Sequence, residues 1–224
     1  MKNINEINKE ISNYWTKRSY DYDKHLGHMF HSNDEKEIWK SFLKNAIGNE
    51  KKLILDVGCG TGFLSILLKE LGHDVIGIDI SKGMLNIAKK NSNYLKIPFL
   101  LGDSNTVNFL PETFDIIISR HLLWTLQNPK ETISTWKKTL VKGGSIIIID
   151  GNWDFSNNEI YNKDIIKNLP LYGSKKRPFI DIDYLISEGF KKSLIKVYDP
   201  TKIFGEDLKY LEIKDYFLIK AIKN

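Results

Sequence analysis

The residues with the clearest chemical potential lie in one run, Asp56-Val57-Gly58-Cys59-Gly60-Thr61-Gly62. Glycines at alternate positions let the chain turn tightly and let a ligand come close to the backbone. A helix starting just after them would aim its positive N-terminal end at that ligand. Such a turn serves nucleotide-like ligands in general, and the spacing narrows the class. A dinucleotide fingerprint needs Gly at 58 and 60 and Gly or Ala at 63. Here residue 63 is Phe and the third glycine falls at 62. A bulky Phe63 disfavours a pyrophosphate lying against the helix, which argues against nicotinamide-dependent oxidoreduction. The carboxylate of Asp56, just ahead of the glycines, suits a cationic amino-acid tail better. Asp79 ends the next apolar run, where a carboxylate can accept hydrogen bonds from two ribose hydroxyls or cap the following helix.

These residues need a scaffold, and the pattern supplies one. Ile4, Ile7, Ile11 and Tyr14-Trp15 recur at helical spacing, so 4–18 reads as an amphipathic helix. Ser32 or Asn33 can cap a second helix that ends near Gly48. From Lys52 onward, short apolar runs alternate with helices. Strands are expected at 53–57, 74–79, 97–101, 114–119 and 145–150, with helices at about 61–71, 81–91 and 130–141. Strands this apolar, alternating with helices, indicate a parallel sheet covered on both faces. Residues 151–180 are polar and too long for an ordinary connection, so they are expected to form a functional loop. A short helix at 181–188 and two strands, 191–198 and 215–222, close the chain as an antiparallel hairpin. The expected fold is α/β, Rossmann-like and doubly wound. Residues 1–48 read as an N-terminal helical cap, and 49–224 as the main domain with an insert at about 151–180.

The chain has 224 residues, 42% of them hydrophobic and 27% charged, as a globular protein of one domain has. The net charge of +5 comes from lysines scattered among acids; only Arg18, Arg120 and Arg177 are arginine. Nucleic-acid binding needs clustered basic residues with aromatics, so no nucleic-acid partner is expected. No apolar run reaches about 18 residues, so no membrane insertion is expected. The N-terminus lacks an apolar signal core, and the single Cys59 forms no internal disulfide; both fit a cytoplasmic location. Oligomeric state is not legible.

The run LDVGCGTG resembles the first motif of class I S-adenosylmethionine (SAM)-dependent methyltransferases. Further segments match in order: Ile76–Ser81 with Met84-Leu85, then Gly102-Asp103-Ser104, then Phe114–Ser119 with His121, and Leu140–Gly144. The similarity spans about 50–150 and is strongest to the small-molecule, type 11 subgroup that includes quinone methyltransferases. The resemblance implies a seven-stranded, mostly parallel sheet with an antiparallel last strand. It implies that SAM is the cofactor, that the acceptor is a small molecule, and that the methyl group moves by in-line displacement.

Roles follow from the resemblance. Gly58 and Gly60 would flank the methionine portion of SAM, with Asp56 behind them. Asp79 would meet the ribose, Ile80 counts among the cofactor residues, and Met84 would pack on the adenine or serve as plain core. Asp103 would accept from the adenine amino group, with Ser104 beside it, or it would only close an Asx turn. Tyr14, Arg18 and Tyr22 resemble the entry segment that closes over the methionine end, where Arg18 or Tyr22 could meet its carboxylate; Arg120 also counts among the cofactor residues. His121 is the candidate base, or it packs on the cofactor. Trp124, Tyr172 and Arg177 are the candidate acceptor wall, and the placement of the three arginines would suit an acidic substrate. His25, His28 and His31 are spaced by three, but Gly27 interrupts a helix there, and no metal is expected. The alternatives are a SAM-binding protein without methyl-transfer activity, or a tRNA or protein methyltransferase.

Overall fold

The computed structural model of the chain describes residues 3–25, 27–106, 108–152, 161, 163–198 and 216–224. Helix α1 (Ile4–Arg18) opens on a capping box in which the Asn3 side chain accepts from the Glu6 N–H and the Glu6 carboxylate accepts from the Asn3 N–H. The pair satisfies two donors that the helix itself leaves unpaired. Helix α2 (Asn33–Ile47) is capped by Ser32 and stops at Gly48, whose φ of +94° suits glycine.

Seven strands follow: β1 (Leu53–Val57), β2 (Asp74–Asp79), β3 (Phe99–Leu101), β4 (Phe114–Arg120), β5 (Leu140–Gly151), β6 (Ile195–Tyr198) and β7 (Tyr216–Ile222). Helices α3 (Phe63–Glu70), α4 (Lys82–Asn91), α5 (Pro129–Thr139), α6 (Lys163–Ile166) and α7 (Phe179–Ser187) lie between them. The sheet order is β3-β2-β1-β4-β5-β7-β6. The first five strands pair in parallel, and β7 runs antiparallel to both β5 and β6. This is the expected Rossmann-like sheet.

Alternation along the strands sends side chains to two cores. Leu55, Val57, Ile117, Ile146 and Ile148 join Ile7 and Ile11 of α1 and Ile133 and Trp136 of α5. Ile54, Ile116, Ile118, Ile147 and Ile149 join Trp39, Phe42 and Leu43 of α2 and Leu64, Leu67 and Leu68 of α3. Both faces are therefore dry, and both N-terminal helices help cover them.

Several boundaries move from the expected ones for identifiable reasons. β3 begins at Phe99 because Pro98 has no N–H to give the ladder; its carbonyl still accepts from Gly77 N–H at 2.9 Å. α3 begins at Phe63, after Gly62 in the left-handed region at φ +95°. β5 begins at Leu140, not Ser145. Leu140 pairs with Phe114 and the register shifts before Ile116, so Gly143-Gly144 kinks a strand where a turn was expected. β6 begins at Ile195, because Lys192–Leu194 form a 3-10 turn.

The largest correction concerns the 151–180 insert, where residues 153–160 and 162 lie outside the described residues. The remainder is not a polar loop: Tyr161, Ile165, Leu169 and Leu171 are buried in the α1/α5 core. Tyr161, Ile165 and Leu169 recur at a spacing of four, a short signal masked by the Asn and Lys residues around it. Among the described residues no helix is long and apolar enough to cross a membrane.

Candidate active site

β1 leads to β2 on one side of the sheet and lies beside β4 on the other, so the strand order reverses at β1. Ligands of open α/β sheets bind at the carboxyl ends of strands around such a point. A cleft of about 720 Å³ opens there, lined by Gly58 and Gly60 after β1, Asp79, Ile80 and Met84 around the end of β2, and Asp103 and Ser104 after β3. Arg120 and His121 at the end of β4 and Trp15 and Tyr22 from the N-terminal segment complete it. A recess of about 310 Å³ shares Tyr22, Gly58, Gly60, Arg120 and His121 with the cleft and adds His28, Asp56, Thr61 and Phe63.

The glycine turn is anchored to β2. Gly58 and Cys59 N–H groups both donate to the Ile78 carbonyl, at 2.9 and 3.0 Å. Gly60, at φ +55°, presents the position of an absent Cβ to open space within 4 Å. Its N–H donates to Asp79 Oδ2 at 2.9 Å, and Ser81 N–H donates to Asp79 Oδ1 at 2.8 Å. Asp79 thus braces the turn and α4 as well as facing the cleft. Burial nonetheless pushes its pKa up to about 6, because two backbone donors only partly offset desolvation. Asp56 is more enclosed. Ser65 Oγ donates to it at 2.5 Å, and burial pushes its pKa up to about 7. It floors the recess and does not line the main cleft.

At the end of β4, His121 takes φ +55°, uncommon for a residue with a side chain, while its N–H donates to the Ile149 carbonyl at 2.9 Å. Its imidazole lies 4.9 Å from the Tyr216 ring. Burial, and then the Arg120 charge, hold its pKa far below the usual histidine range. His28 stacks on Tyr22 at 4.1 Å, and the same two causes bring its pKa to about 4. Both imidazoles are therefore neutral near pH 7. Arg120 lies over the Phe63 ring at 3.9 Å and donates to the Gly27 carbonyl, while its buried Nε has no partner among the described residues.

The remaining candidate residues stand elsewhere. Arg18 does not line the cleft; it pairs with Asp21 at 2.8 Å. Tyr14 and Trp124 belong to an aromatic cluster with Trp15, Tyr161 and Tyr172, at centroid distances of 5.1 to 6.5 Å. Arg177, expected on the acceptor wall, is buried. Its guanidinium donates to Asp150 at 2.8 Å and to Asp181 at 2.6 Å, so it is committed to ion pairs inside the fold. His25 is exposed near Asp21, and among the described residues no three His, Cys, Asp or Glu side chains converge on a metal position.

Sequence reasoning missed Asn8 and Gln127, which also line the cleft. A signal existed: Asn8, Ser12 and Thr16 form a polar stripe at spacing four beside the apolar stripe of α1. Asn8 donates to Asp103 at 2.6 Å, Ser12 to the Ile80 carbonyl at 2.8 Å, and Thr16 pairs with Ser81 at 3.0 Å. The stripe docks α1 along the cofactor side of the cleft.

Residues 55–148 match the model of a methyltransferase domain family. A putative methyltransferase of Bacillus subtilis, YqeM, is 31% identical over 144 residues, covering 62% of this chain and 56% of that protein. Phosphoethanolamine N-methyltransferase 3 of Arabidopsis thaliana is 30% identical over 132 residues, covering 58% of this chain and 27% of that protein. The chain thus spans from about a quarter to a little over half the length of these curated relatives. In structure, a Haemonchus contortus phosphoethanolamine N-methyltransferase 2, in complex with phosphomonomethylethanolamine and S-adenosylhomocysteine, superposes with a TM-score of 0.68 at 19% identity. That match covers 96% of this chain and 59% of the other and speaks to the fold.

Proposed function

We propose that this chain, whose residues 55–148 match a methyltransferase domain family and whose sheet has the Rossmann-like order, acts as a class I SAM-dependent methyltransferase of the type 11 group, binding SAM in the β1–β4 cleft and methylating a small-molecule acceptor. One observation carries the reading. The glycine turn, the Asp79 carboxylate and the Asp103 carboxylate line one cleft, with open space over Gly60 where a side chain would block a ligand.

The residues present fit the group. Asp79 keeps lone pairs beyond its two backbone donors and can accept from a ribose diol. Ile80 and Met84 offer apolar contact to a purine. Behind the turn, the recess combines Asp56 with Arg120, an acid and a cation that complement the ammonium and carboxylate of an amino-acid tail; a bound ammonium would draw Asp56 toward its ionised form. Arg120 takes the part in tail binding that the sequence offered to Arg18 or Tyr22. Bound SAM supplies an electrophilic methyl on a sulfonium, so the chain's task is to position an acceptor and exclude water.

The acceptor reaches the methyl past Trp15, Tyr22 and His121, with Tyr14, Trp124 and Tyr172 in the aromatic wall behind. His121, held neutral, accepts a hydrogen bond from the acceptor and orients it. A base with so low a pKa takes little of a proton, so the acceptor enters already nucleophilic. α1 roofs the cleft, which favours a small molecule over a protein or nucleic acid. Residues 1–48 would cap the site.

Calorimetry tests the reading. SAM and S-adenosylhomocysteine (SAH) are expected to bind with dissociation constants in the micromolar range, about −8 kcal/mol, and NAD is expected not to bind. NAD binding without SAM binding overturns it. Methyl transfer from labelled SAM to a panel of small metabolites then identifies the acceptor.

A further inference from the structure

Where α1 meets the loop after β3, three side chains lining the cleft form a directed chain. Gln127 Nε2 donates to Asn8 Oδ1 at 2.8 Å, and Asn8 Nδ2 donates to Asp103 Oδ2 at 2.6 Å. The direction is dictated by its last member. An ionised carboxylate only accepts, so Asn8 must turn its NH2 toward Asp103 and its oxygen toward Gln127, which must then present an NH2. The other carboxylate oxygen, Oδ1, accepts from Asn105 N–H at 2.9 Å and Asn105 Nδ2 at 2.8 Å. The amide of Asn105 is turned the same way from its other end, where the one hydroxyl hydrogen of Thr132 is shared between Asn105 Oδ1 and the Asn128 carbonyl.

A carboxylate offers about four acceptor positions. Three on Asp103 are taken by described residues, which leaves one, on Oδ2, beside Asn8. Asp103 and Asn8 both line the cleft. We propose that Asn8 and Gln127 are positioning residues that set nucleobase specificity, holding Asp103 so that its one remaining acceptor site takes the exocyclic amine of adenine. The inference rests on the reading that an adenosyl ligand occupies this cleft. A 6-oxo purine would set oxygen against oxygen at that point, with no free donor on Asp103 to relieve it. The N-terminal helix is then part of the base pocket itself, reading the nucleoside through its polar stripe.

The test compares binding of SAH with its 6-oxo counterpart, S-inosylhomocysteine, by calorimetry. The wild-type chain is expected to prefer SAH by at least about tenfold. Asn8→Asp keeps the shape and the Gln127 bond but sets two carboxylates in contact, which favours a shared proton. That proton is a donor a 6-oxo base can use. The preference is expected to shrink by about tenfold, most at low pH. Asn8→Leu removes the donor without adding charge and should lower the preference by about threefold. If Asn8 only docked the helix, both ligands would lose affinity together and the ratio would stay constant in both variants; that result overturns the inference while SAH binding upholds the cofactor reading. Failure of the wild-type chain to bind SAH overturns both.

Discussion

The guanidinium of Arg120 lies 3.9 Å from the centroid of the Phe63 ring, with Trp39 at 5.5 Å. Phe63 thus stands where a dinucleotide site needs glycine or alanine, and it serves as the platform for a cation. Guanidinium stacks on aromatic faces in a way an ammonium does not reproduce, and the Gly27 carbonyl ties the same group to the N-terminal segment. Arg120→Lys is expected to weaken SAH binding by about 1–2 kcal/mol, roughly tenfold in dissociation constant. Calorimetry beside thermal melting decides the role: unchanged affinity with a lowered melting temperature would reduce Arg120 to a staple between two segments.

Asp56 gives a pH-dependent expectation. Burial raises its pKa to about 7 in the folded state, with Ser65 donating to it and Asp79 and Arg120 nearby. In the unfolded chain an aspartate titrates near 3.9. The folded state therefore holds the proton over a range where the unfolded state has lost it, and stability from this group falls as pH rises from about 4 to 7. Asp79, raised to about 6, adds to the fall, while His28, lowered to about 4, and His121, also lowered, have the opposite sign, so the wild-type curve mixes all four. Asp56→Asn isolates the Asp56 contribution from the others. Relative to wild type it is expected to gain little at pH 4 and a few kcal/mol at pH 8, read from urea unfolding at each pH. A difference that stays flat across that range would mean that Asp56 is not held protonated.

Much of the fold is legible in the sequence. The apolar runs of β1, β2 and β4 are short, bounded and dry on both sides, so period and length agree. Gly58, Gly60 and Asp79 were legible because a tight turn and a strand-end carboxylate leave local marks. Arg177 was misleading. A rare arginine in a polar segment looks like a ligand, yet its partners Asp150 and Asp181 stand on β5 and α7, and only the fold brings them together. Asn8 was legible only in part. The polar stripe of Asn8, Ser12 and Thr16 marks a face of α1, but its partner Asp103 is remote in sequence, and only the fold brings the two together.

The Arg177 cluster makes its own prediction. Its side chain is 1% exposed, and those of Asp150 and Asp181 are fully buried. Removing the cation leaves two buried carboxylates without compensation, a loss that costs about 3–5 kcal/mol in comparable pairs. Arg177→Met keeps much of the volume and is expected to lower stability by that amount in urea unfolding; adding Asp181→Asn should recover part of it. A fully stable Arg177→Met variant with altered acceptor kinetics would instead return Arg177 to the substrate wall.

The N-terminal segment divides into a fixed and a releasable part. α1 is held by Asn8, Ser12 and Thr16 on the cofactor rim and by Ile7 and Ile11 in the core. The stretch after it is held more lightly. Lys24 and His25 are exposed, and among the described residues its side-chain hydrogen bonds to the main domain run from Arg120 to Gly27 and from Asn91 to Asp23 at 2.9 Å. Tyr22 and His28 line the recess from this stretch, so a ligand tail lodged against them adds contacts that exist only when the segment is in place. Ligand-coupled ordering of this kind slows local opening in proportion to occupancy. Trypsin is expected to cut the free protein after Lys24, and saturating SAH should slow that cut by about threefold or more. Cleavage after Lys17, inside α1, should be slow with or without ligand. Equal rates after Lys24 in both states would mean that the segment is no lid, and that SAH leaves its opening equilibrium untouched.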